Sequence, residues 1–235
     1  MNSSRIKKIL ILVAILAVPG FLYYLLQEKG KNRYRPLAIY GPKEVAKTFH
    51  SVRGENIPDT IYHTIADFKL LNQYADTVSW KKHRGKIVLL NLFHASNRGF
   101  AVDFANKAME GFTKLYAKNT MLHFMSISMN PAEDQPAILL KYANQISANT
   151  KKWDLLTGDS TQIYQLIHKG LFLDAIKTTK NGETKFTYSN MFVLIDPQHR
   201  IRGYYEATNN EALSKLDDEI KVLIAEELRN MRDGR

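Results

Sequence analysis

Four side chains able to bind soft metal ions alternate along one apolar segment, MLHFMSISM. If this segment is a β-strand, Met121, His123, Met125 and Met129 lie on one face, because strand side chains point alternately to two faces. Thioether and imidazole donors on one face suit Cu(I). Methionine is also an adaptable filler of buried strands, and a central strand packs on both faces. The pattern therefore favours core packing over a metal site.

The chain of 235 residues contains no cysteine. This removes thiolate nucleophiles, disulfide exchange and thiolate metal ligands together. Thiol-dependent oxidoreductase and peroxidase activities are excluded for the chain acting alone, since both pass through a thiolate. The sequence shows no glycine-rich phosphate loop, Ser-His-Asp arrangement or paired carboxylates, and we expect a protein that is not an enzyme. The histidines without mutual ligand spacing in the sequence are His50, His63, His83, His168 and His199.

The composition is that of a globular domain with an appendage. Hydrophobic residues make up 45% and charged residues 24%, enough for a sizeable core. The net charge of +10 favours anionic neighbours such as membrane headgroups or acidic protein faces. The basic residues are scattered and form no nucleic-acid-binding module, so we expect no nucleic-acid partner.

The appendage is an N-terminal apolar segment. Residues 9–26 read ILILVAILAVPGFLYYLL and carry no charge over a length that can span a bilayer. Bulky Tyr23 and Tyr24 stand where a secretory signal would have a small-residue cleavage site. We therefore predict an uncleaved transmembrane anchor over 1–29, a polar tether over 30–58 and a folded domain over 59–235. Three basic residues precede the segment and four follow, so charge alone leaves its orientation open.

The predicted domain alternates strands and helices. Strands are predicted at 68–71, 76–80, 86–93, 121–129, 153–156, 191–195 and 201–205. Helices are predicted at 102–117, 134–148, 160–168 and 213–228. The last two strands form a hairpin before the closing helix. This order predicts an α/β fold with a thioredoxin-like mixed sheet flanked by helices.

Six ordered segments between Leu37 and Glu226 resemble the SCO/SenC family, thioredoxin-fold copper chaperones tethered to the membrane that take part in cytochrome oxidase assembly. The segments are RPLAIYGPKE, DTIYHTIADFKLLNQYADTVSW, KIVLLNLFHAS, SMNPAEDQPAIL, KWDLLTGD and FVLIDPQHRIRGYYEAT. The resemblance implies a domain on the extracytoplasmic (periplasmic) side of the membrane. It also implies a protein partner, either an oxidase subunit or a metal-loaded paralogue.

The chain departs from the family at the metal site. The resemblance implies two cysteines spaced C-x-x-x-C after the first long strand and a histidine before a late strand. These ligand positions fall on Asn97, Ala101 and Tyr188, so all three ligands are replaced. The loop aspartate of the family is replaced by Asn130, whereas Asp134 remains. We therefore expect no bound metal at this degenerate site, although copper is the family's cofactor.

Two functional interpretations stay open. The first is a non-catalytic binding and assembly module. The second is a copper chaperone that uses His94, the strand methionines such as Met129, or a partner's ligands. His94 is otherwise a polar residue at a strand end, and Tyr188 either covers the pocket with its ring or hydrogen-bonds a ligand. Asn97 and Arg98 open a helix, where they either cap it or hold an anion.

Overall fold

The structure is a computed structural model that describes residues 3–28, 36–52, 54–96, 99–148 and 151–233. The chain divides into two compact units, residues 1–35 and 36–235. The first unit contains helix α1, Ser3–Glu28, with Pro19 inside it. Within α1, Ile6–Leu25 is long and apolar enough to cross a membrane, and it is the one such helix in the described ranges. This helix coincides with the predicted anchor.

The second unit contains four further helices and eleven strands in its described residues. The strands are β1 (Lys43–Val52), β2 (Glu55–Tyr62), β3 (Leu70–Leu71), β4 (Thr77–Val78), β5 (Ile87–Phe93), β6 (Leu122–Ser128), β7 (Trp153–Leu156), β8 (Ala175–Lys180), β9 (Glu183–Tyr188), β10 (Met191–Ile195) and β11 (Ile201–Glu206). The helices are α2 (Phe100–Leu115), α3 (Pro136–Gln145), α4 (Ser160–Gln165) and α5 (Asn210–Arg232). A π-helical turn, Leu166–Gly170, continues α4 and ends at the predicted glycine stop.

A five-stranded mixed sheet forms the centre of this unit. Its strand order is β11-β10-β5-β6-β7. Strands β5, β6 and β7 are parallel, whereas β10 is antiparallel to both β5 and β11. Every residue of β5 and of β6 is buried, which explains why β5 reads as a nearly continuous apolar run. The predicted α/β fold with a thioredoxin-like mixed sheet is confirmed.

Helices and loops cover both faces of the sheet. On one face, α2, α3 and α5 pack through residues such as Met109, Leu139 and Ile220. On the other face, α4 and the segment from Ile65 to Trp80 pack against Val88, Leu90 and Met125. The carboxyl ends of β5 and β6 meet at one edge of the sheet, here called the carboxyl edge. The opposite edge, where β5, β6 and β7 begin, is called the amino edge.

Two exposed hairpins differ from the sequence expectations. Strands β1 and β2 form a hairpin inside the segment that the sequence indicated to be an irregular tether, so that description of 43–58 is wrong. Gly54 takes a φ of +87° at its turn, and Pro58 is accommodated in β2 opposite Phe49, beyond an irregularity in the register. The hairpin of β8 and β9 was not predicted at all. Residues 30–35 of the predicted tether lie outside the described residues.

A buried arginine ties the start of the second unit to its core. Arg202 in β11 donates to Asp196 at 3.1 Å and to Glu226 in α5 at 2.9 Å. The same guanidinium donates to the carbonyl oxygens of Leu37 at 2.8 Å and Ala38 at 3.3 Å. The first residues of the second unit therefore join its core through an ionic and hydrogen-bonded network.

Candidate functional site at the carboxyl edge

The loop between β5 and α2 lies at the carboxyl edge, where the sequence places the candidate ligand positions. Asn97 and Arg98 lie outside the described residues. Ala101 lies in the first turn of α2 and is exposed. Its methyl side chain offers no donor atom. Beside it Phe100 is 77% exposed, and its ring centroid lies 5.8 Å from that of Phe104.

His94 follows β5 directly and is half-buried. Asn130 Nδ2 lies 3.4 Å from His94 Nε2, and an amide that donates there places the ring proton on Nδ1. The imidazole also meets Phe186 of β9 edge to face, with 4.9 Å between ring centroids. His94 is thus held by one amide and one aromatic ring.

The strand methionines have a different environment. Met125 and Met129 are fully buried in the apolar cluster that also contains Leu92 and Ile127. The carbonyl of Met129 accepts a hydrogen bond from the Tyr164 hydroxyl at 3.4 Å. Burial raises the pKa of Tyr164, so this phenol remains a neutral donor. Thioethers with no exposed surface in such a cluster contribute to core packing.

A buried carboxylate organises the loops at this edge. Asp134 Oδ2 accepts hydrogen bonds from the backbone N–H of Ala95 at 3.3 Å and from the Ser128 hydroxyl. The Ser128 oxygen in turn accepts from the backbone N–H of Asn130 at 3.0 Å. The network fixes the loops that carry His94 and Asn130, so Asp134 acts as a positioning residue.

Tyr188 ends β9 and is half-buried. It lies two residues after Phe186, on the same face of the strand, and both rings pack against the apolar cluster of the sheet. Strand β9 therefore brings two aromatic rings to the domain, one of which contacts His94. The sequence placed Tyr188 but missed Phe186, since the β8–β9 hairpin that presents both was not predicted.

The donors at this edge do not fit a thiolate copper site. The chain has no cysteine, Ala101 has no donor, and His94 is the one imidazole described there. Among the described residues, no group of three histidine or carboxylate side chains with converging ligand atoms lies at the carboxyl edge. Copper bound by sulfur and imidazole needs soft ligands that these side chains do not supply.

Two histidines that the sequence treated as unrelated meet at the amino edge. His123 Nε2 lies 2.8 Å and His83 Nε2 3.4 Å from the same oxygen, Asp154 Oδ2. Burial lowers the pKa of His123, and the hydrogen bond to Asp154 opposes that effect. Burial alone would raise the pKa of Asp154, but hydrogen bonds led by those from His123 and His83 hold it well below its usual range. Sequence spacing indicates no ligand partner for His83 among the other scattered histidines, and in the structure its neighbours are instead His123 and Asp154.

The other histidines have separate partners. His63 Nε2 donates to the carbonyl of Gly170 at 2.9 Å, and His50 Nδ1 lies 2.6 Å from Asp59 Oδ1 on the exposed hairpin. His199 stacks on Trp80 with 4.6 Å between ring centroids, and burial lowers its pKa. The hydrogen bonds account for His63 and His50, whereas Nε2 of His199 is buried without a hydrogen-bond partner among the described residues.

Comparison with known proteins identifies the family. The sequence model of the SCO1/SenC family matches residues 58–223. The SCO1 protein homolog of Bacillus subtilis (strain 168) is 24% identical over 169 residues, which cover 72% of this chain and 86% of the relative.

Solved structures share the fold. A SCO1/SenC family lipoprotein from Bacillus anthracis str. Ames superposes with a TM-score of 0.59 at 21% identity, covering 68% of this chain and 95% of that one. BsSco, described as a member of the Sco family of cytochrome c oxidase assembly proteins, has a TM-score of 0.58 at 22% identity, covering 68% and 93%. The family match spans more than half of the sequence and the folds agree, so the chain belongs to the SCO1/SenC family.

Proposed function

We propose that this protein is a membrane-anchored binding and assembly module, not an enzyme, that serves cytochrome c oxidase copper-site maturation without a copper site of its own at the family position. Members of this family bind copper, and the family is related to the copper assembly of that oxidase. The absence of every cysteine from a chain that retains the family fold carries this proposal. Such a chain can still recognise the partners of its relatives.

The exposed surface at the carboxyl edge supports a protein partner. Phe100 is 77% exposed immediately beside Ala101. Aromatic side chains are enriched in protein interfaces, where they bury a large area at a small cost in conformational entropy. Because the metal donors are missing from the same edge, this surface is available for protein contact. We place the contact with an oxidase subunit or a metal-loaded paralogue here.

Site-specific photocrosslinking in native membranes tests this contact. A photoreactive residue at Ala101 should crosslink to an oxidase subunit or to a copper-loaded paralogue. Leu115 is the matched control, since it is 64% exposed at the other end of the same helix. Equal crosslinking from Ala101 and Leu115, or none from either, would contradict the proposed surface.

The anchor and the side of the membrane form a second part of the proposal. Helix segment Ile6–Leu25 supports an uncleaved anchor, and one structural relative is described as a lipoprotein. We place residues 59–235 on the extracytoplasmic (periplasmic) side. Added protease should digest this domain in intact spheroplasts, whereas a cytoplasmic domain would be digested only after lysis. Release of the chain by an alkaline wash would contradict the anchor.

A copper chaperone with substitute ligands is the alternative function. It is favoured by one observation, the half-buried imidazole of His94 at the family edge. Titration of the detergent-solubilised full chain with Cu(I) against a competing chelator decides between the two. We expect no tight binding that depends on His94. Stoichiometric Cu(I) binding that is lost in His94→Ala and kept in His123→Ala would establish the alternative.

A further inference from the structure

The amino edge of the sheet carries a cluster that the family copper position does not explain. His83 comes from the turn before β5, His123 from β6 and Asp154 from β7. One ligand atom of each lies within 4.8 Å of the others. We propose that these three side chains bind one divalent transition-metal ion, with Zn²⁺ as the ion best suited to two imidazoles and a carboxylate.

The distances are close to those of a metal site. Tetrahedral Zn²⁺ with bonds of about 2.0–2.2 Å separates its ligand atoms by roughly 3.3–3.6 Å. His83 Nε2 already lies 3.4 Å from Asp154 Oδ2. His123 Nε2 lies 2.8 Å from the same oxygen, so this pair must open by about half an ångström. A change of this size needs only small side-chain rotations.

Neighbouring groups orient the ligands as outer-shell partners do in metal proteins. His83 Nδ1 lies 3.3 Å from the carbonyl of Ser79, an acceptor only, so the ring proton belongs on Nδ1. Asn72 Nδ2 donates to Asp154 Oδ1 at 2.8 Å, which leaves Oδ2 for the ion. The Asn72 oxygen accepts from the backbone N–H groups of Tyr74 and Asp76, so its amide orientation is fixed.

This arrangement leaves an electrostatic conflict that a cation resolves. His83 can donate from Nδ1 to Ser79 and from Nε2 to Asp154 together only as an imidazolium; with a single proton on Nδ1, it directs the lone pair of Nε2 at the carboxylate oxygen. Two lone pairs at 3.4 Å in a largely buried site repel each other unless a proton or a metal ion lies between them. His123 converges on the same oxygen, and its ring centroid lies 4.2 Å from that of His83. Three donors around one point favour the metal ion.

The cluster opens into a cavity that can supply the fourth ligand. The cavity has a volume of about 580 Å³ and is also lined by Tyr74, Asp76, Lys82 and Lys151. Three protein ligands with one open position describe a zinc site that keeps a water molecule. The bound ion would join the turn before β5 to β6 and β7. One further carboxylate, Asp76, lies in the lining together with the two lysines.

Metal titration of the full chain in detergent tests the site. The chain is purified without a histidine tag, stripped with a chelator and titrated with Zn²⁺ in a calorimeter, then with Co²⁺ as a spectroscopic probe. We expect one ion per chain and the visible absorption of tetrahedral Co²⁺. Asp154→Asn preserves the side-chain shape and the bond from Asn72, yet should weaken binding at least tenfold. Asn72→Ala, which removes an outer-shell partner, should weaken binding about 10–100-fold.

Control variants separate this site from general histidine binding. His50→Gln changes a histidine that also contacts a carboxylate, Asp59 at 2.6 Å, but on an exposed hairpin, and should bind as the parent does. If the tryptophan fluorescence shows that Asp154→Asn does not fold, His83→Gln serves as a second ligand variant. Absence of saturable Zn²⁺ binding, or binding undiminished in both ligand variants, would overturn the proposal. The proposed function concerns the carboxyl edge, so neither test decides the other.

Discussion

Replacing Arg202 by methionine should destabilise the domain strongly, because this single side chain bonds to three separate parts of the chain, at Leu37, Asp196 and Glu226. Its guanidinium is fully buried and pairs with Asp196, which is also fully buried, and with Glu226. Removing one member of a buried ion pair costs about 3–5 kcal/mol, since the remaining charge stays desolvated. Methionine retains much of the apolar stem, so the loss measures the charge and its hydrogen bonds.

The surroundings of Arg202 place the cost near the lower end of that range. Asp196 keeps a hydrogen bond from Arg200 Nε at 2.8 Å, and the side chain of Glu226 is 19% exposed and can be hydrated. In the other direction, the carbonyl oxygens of Leu37 and Ala38 lose their hydrogen bonds from Arg202, which keeps the cost within the range. We therefore expect a loss of about 3 kcal/mol in unfolding free energy. For a domain of this size the melting temperature should fall by roughly 6–12 °C.

Urea unfolding of the full chain in detergent, followed by tryptophan fluorescence, measures this loss. Both tryptophans, Trp80 and Trp153, are buried in the domain. Arg200→Met is the matched control, because Arg200 contacts the same oxygen of Asp196 but its side chain is 24% exposed. It should cost no more than about 1 kcal/mol. Equal losses for the two variants would refute the role assigned to Arg202.

Three further predictions concern other parts of the domain. The combined change Asn97→Cys, Ala101→Cys and Tyr188→His should create stoichiometric Cu(I) binding, measured by chelator competition; its failure would show that these are not the ligand positions. Burial raises the pKa of Glu227, so ionisation of this carboxyl destabilises the fold. At neutral pH, Glu227→Gln should therefore unfold at a higher urea concentration than the parent. This gain in stability should disappear below pH 4.5, the usual pKa of a glutamate, where Glu227 is protonated in both the folded and the unfolded chain. Burial raises the pKa of Tyr204 to about 12 from 10.0, so the stability linked to its protonation is present below pH 10 and is lost as the pH rises to about 12. Burial also raises the pKa of Tyr116, Tyr164 and Tyr205, so ultraviolet titration should show several late phenols, of which Tyr204→Phe removes the one near pH 12.

The central sheet was predictable because its strands are buried on both faces. An apolar run such as β5 has few alternatives in a folded domain, and β7 and β10 were predicted with the bounds that the structure shows. The exposed hairpins lack this signal. The turn between β8 and β9 nevertheless carries a different sequence signal for a hairpin, the pair Asn181 and Gly182. Their φ values of +53° and +82° are those that a two-residue type I′ turn requires.

The amino-edge cluster could not be found from spacing. His123 in β6 and Asp154 in β7 are 31 residues apart in the sequence, and His83 lies in the turn before β5. They meet because parallel pairing aligns Val88 with His123 and Met125 with Asp154. A one-residue change of register would send one side chain to the other face. Such a site follows from the sheet register, which a single sequence does not determine.

The network at the carboxyl edge shows how the loops there keep their geometry without a metal ion. Asp134 and Ser128 satisfy the backbone N–H groups of Ala95 and Asn130. A buried N–H without a partner costs about 1–3 kcal/mol, so these side chains stabilise the fold whether or not a metal is bound. The loops therefore hold their geometry through the protein's own hydrogen bonds. For the same reason, restoring three donors should restore copper binding without rebuilding the frame, whereas a partner surface around Phe100 needs no donors at all.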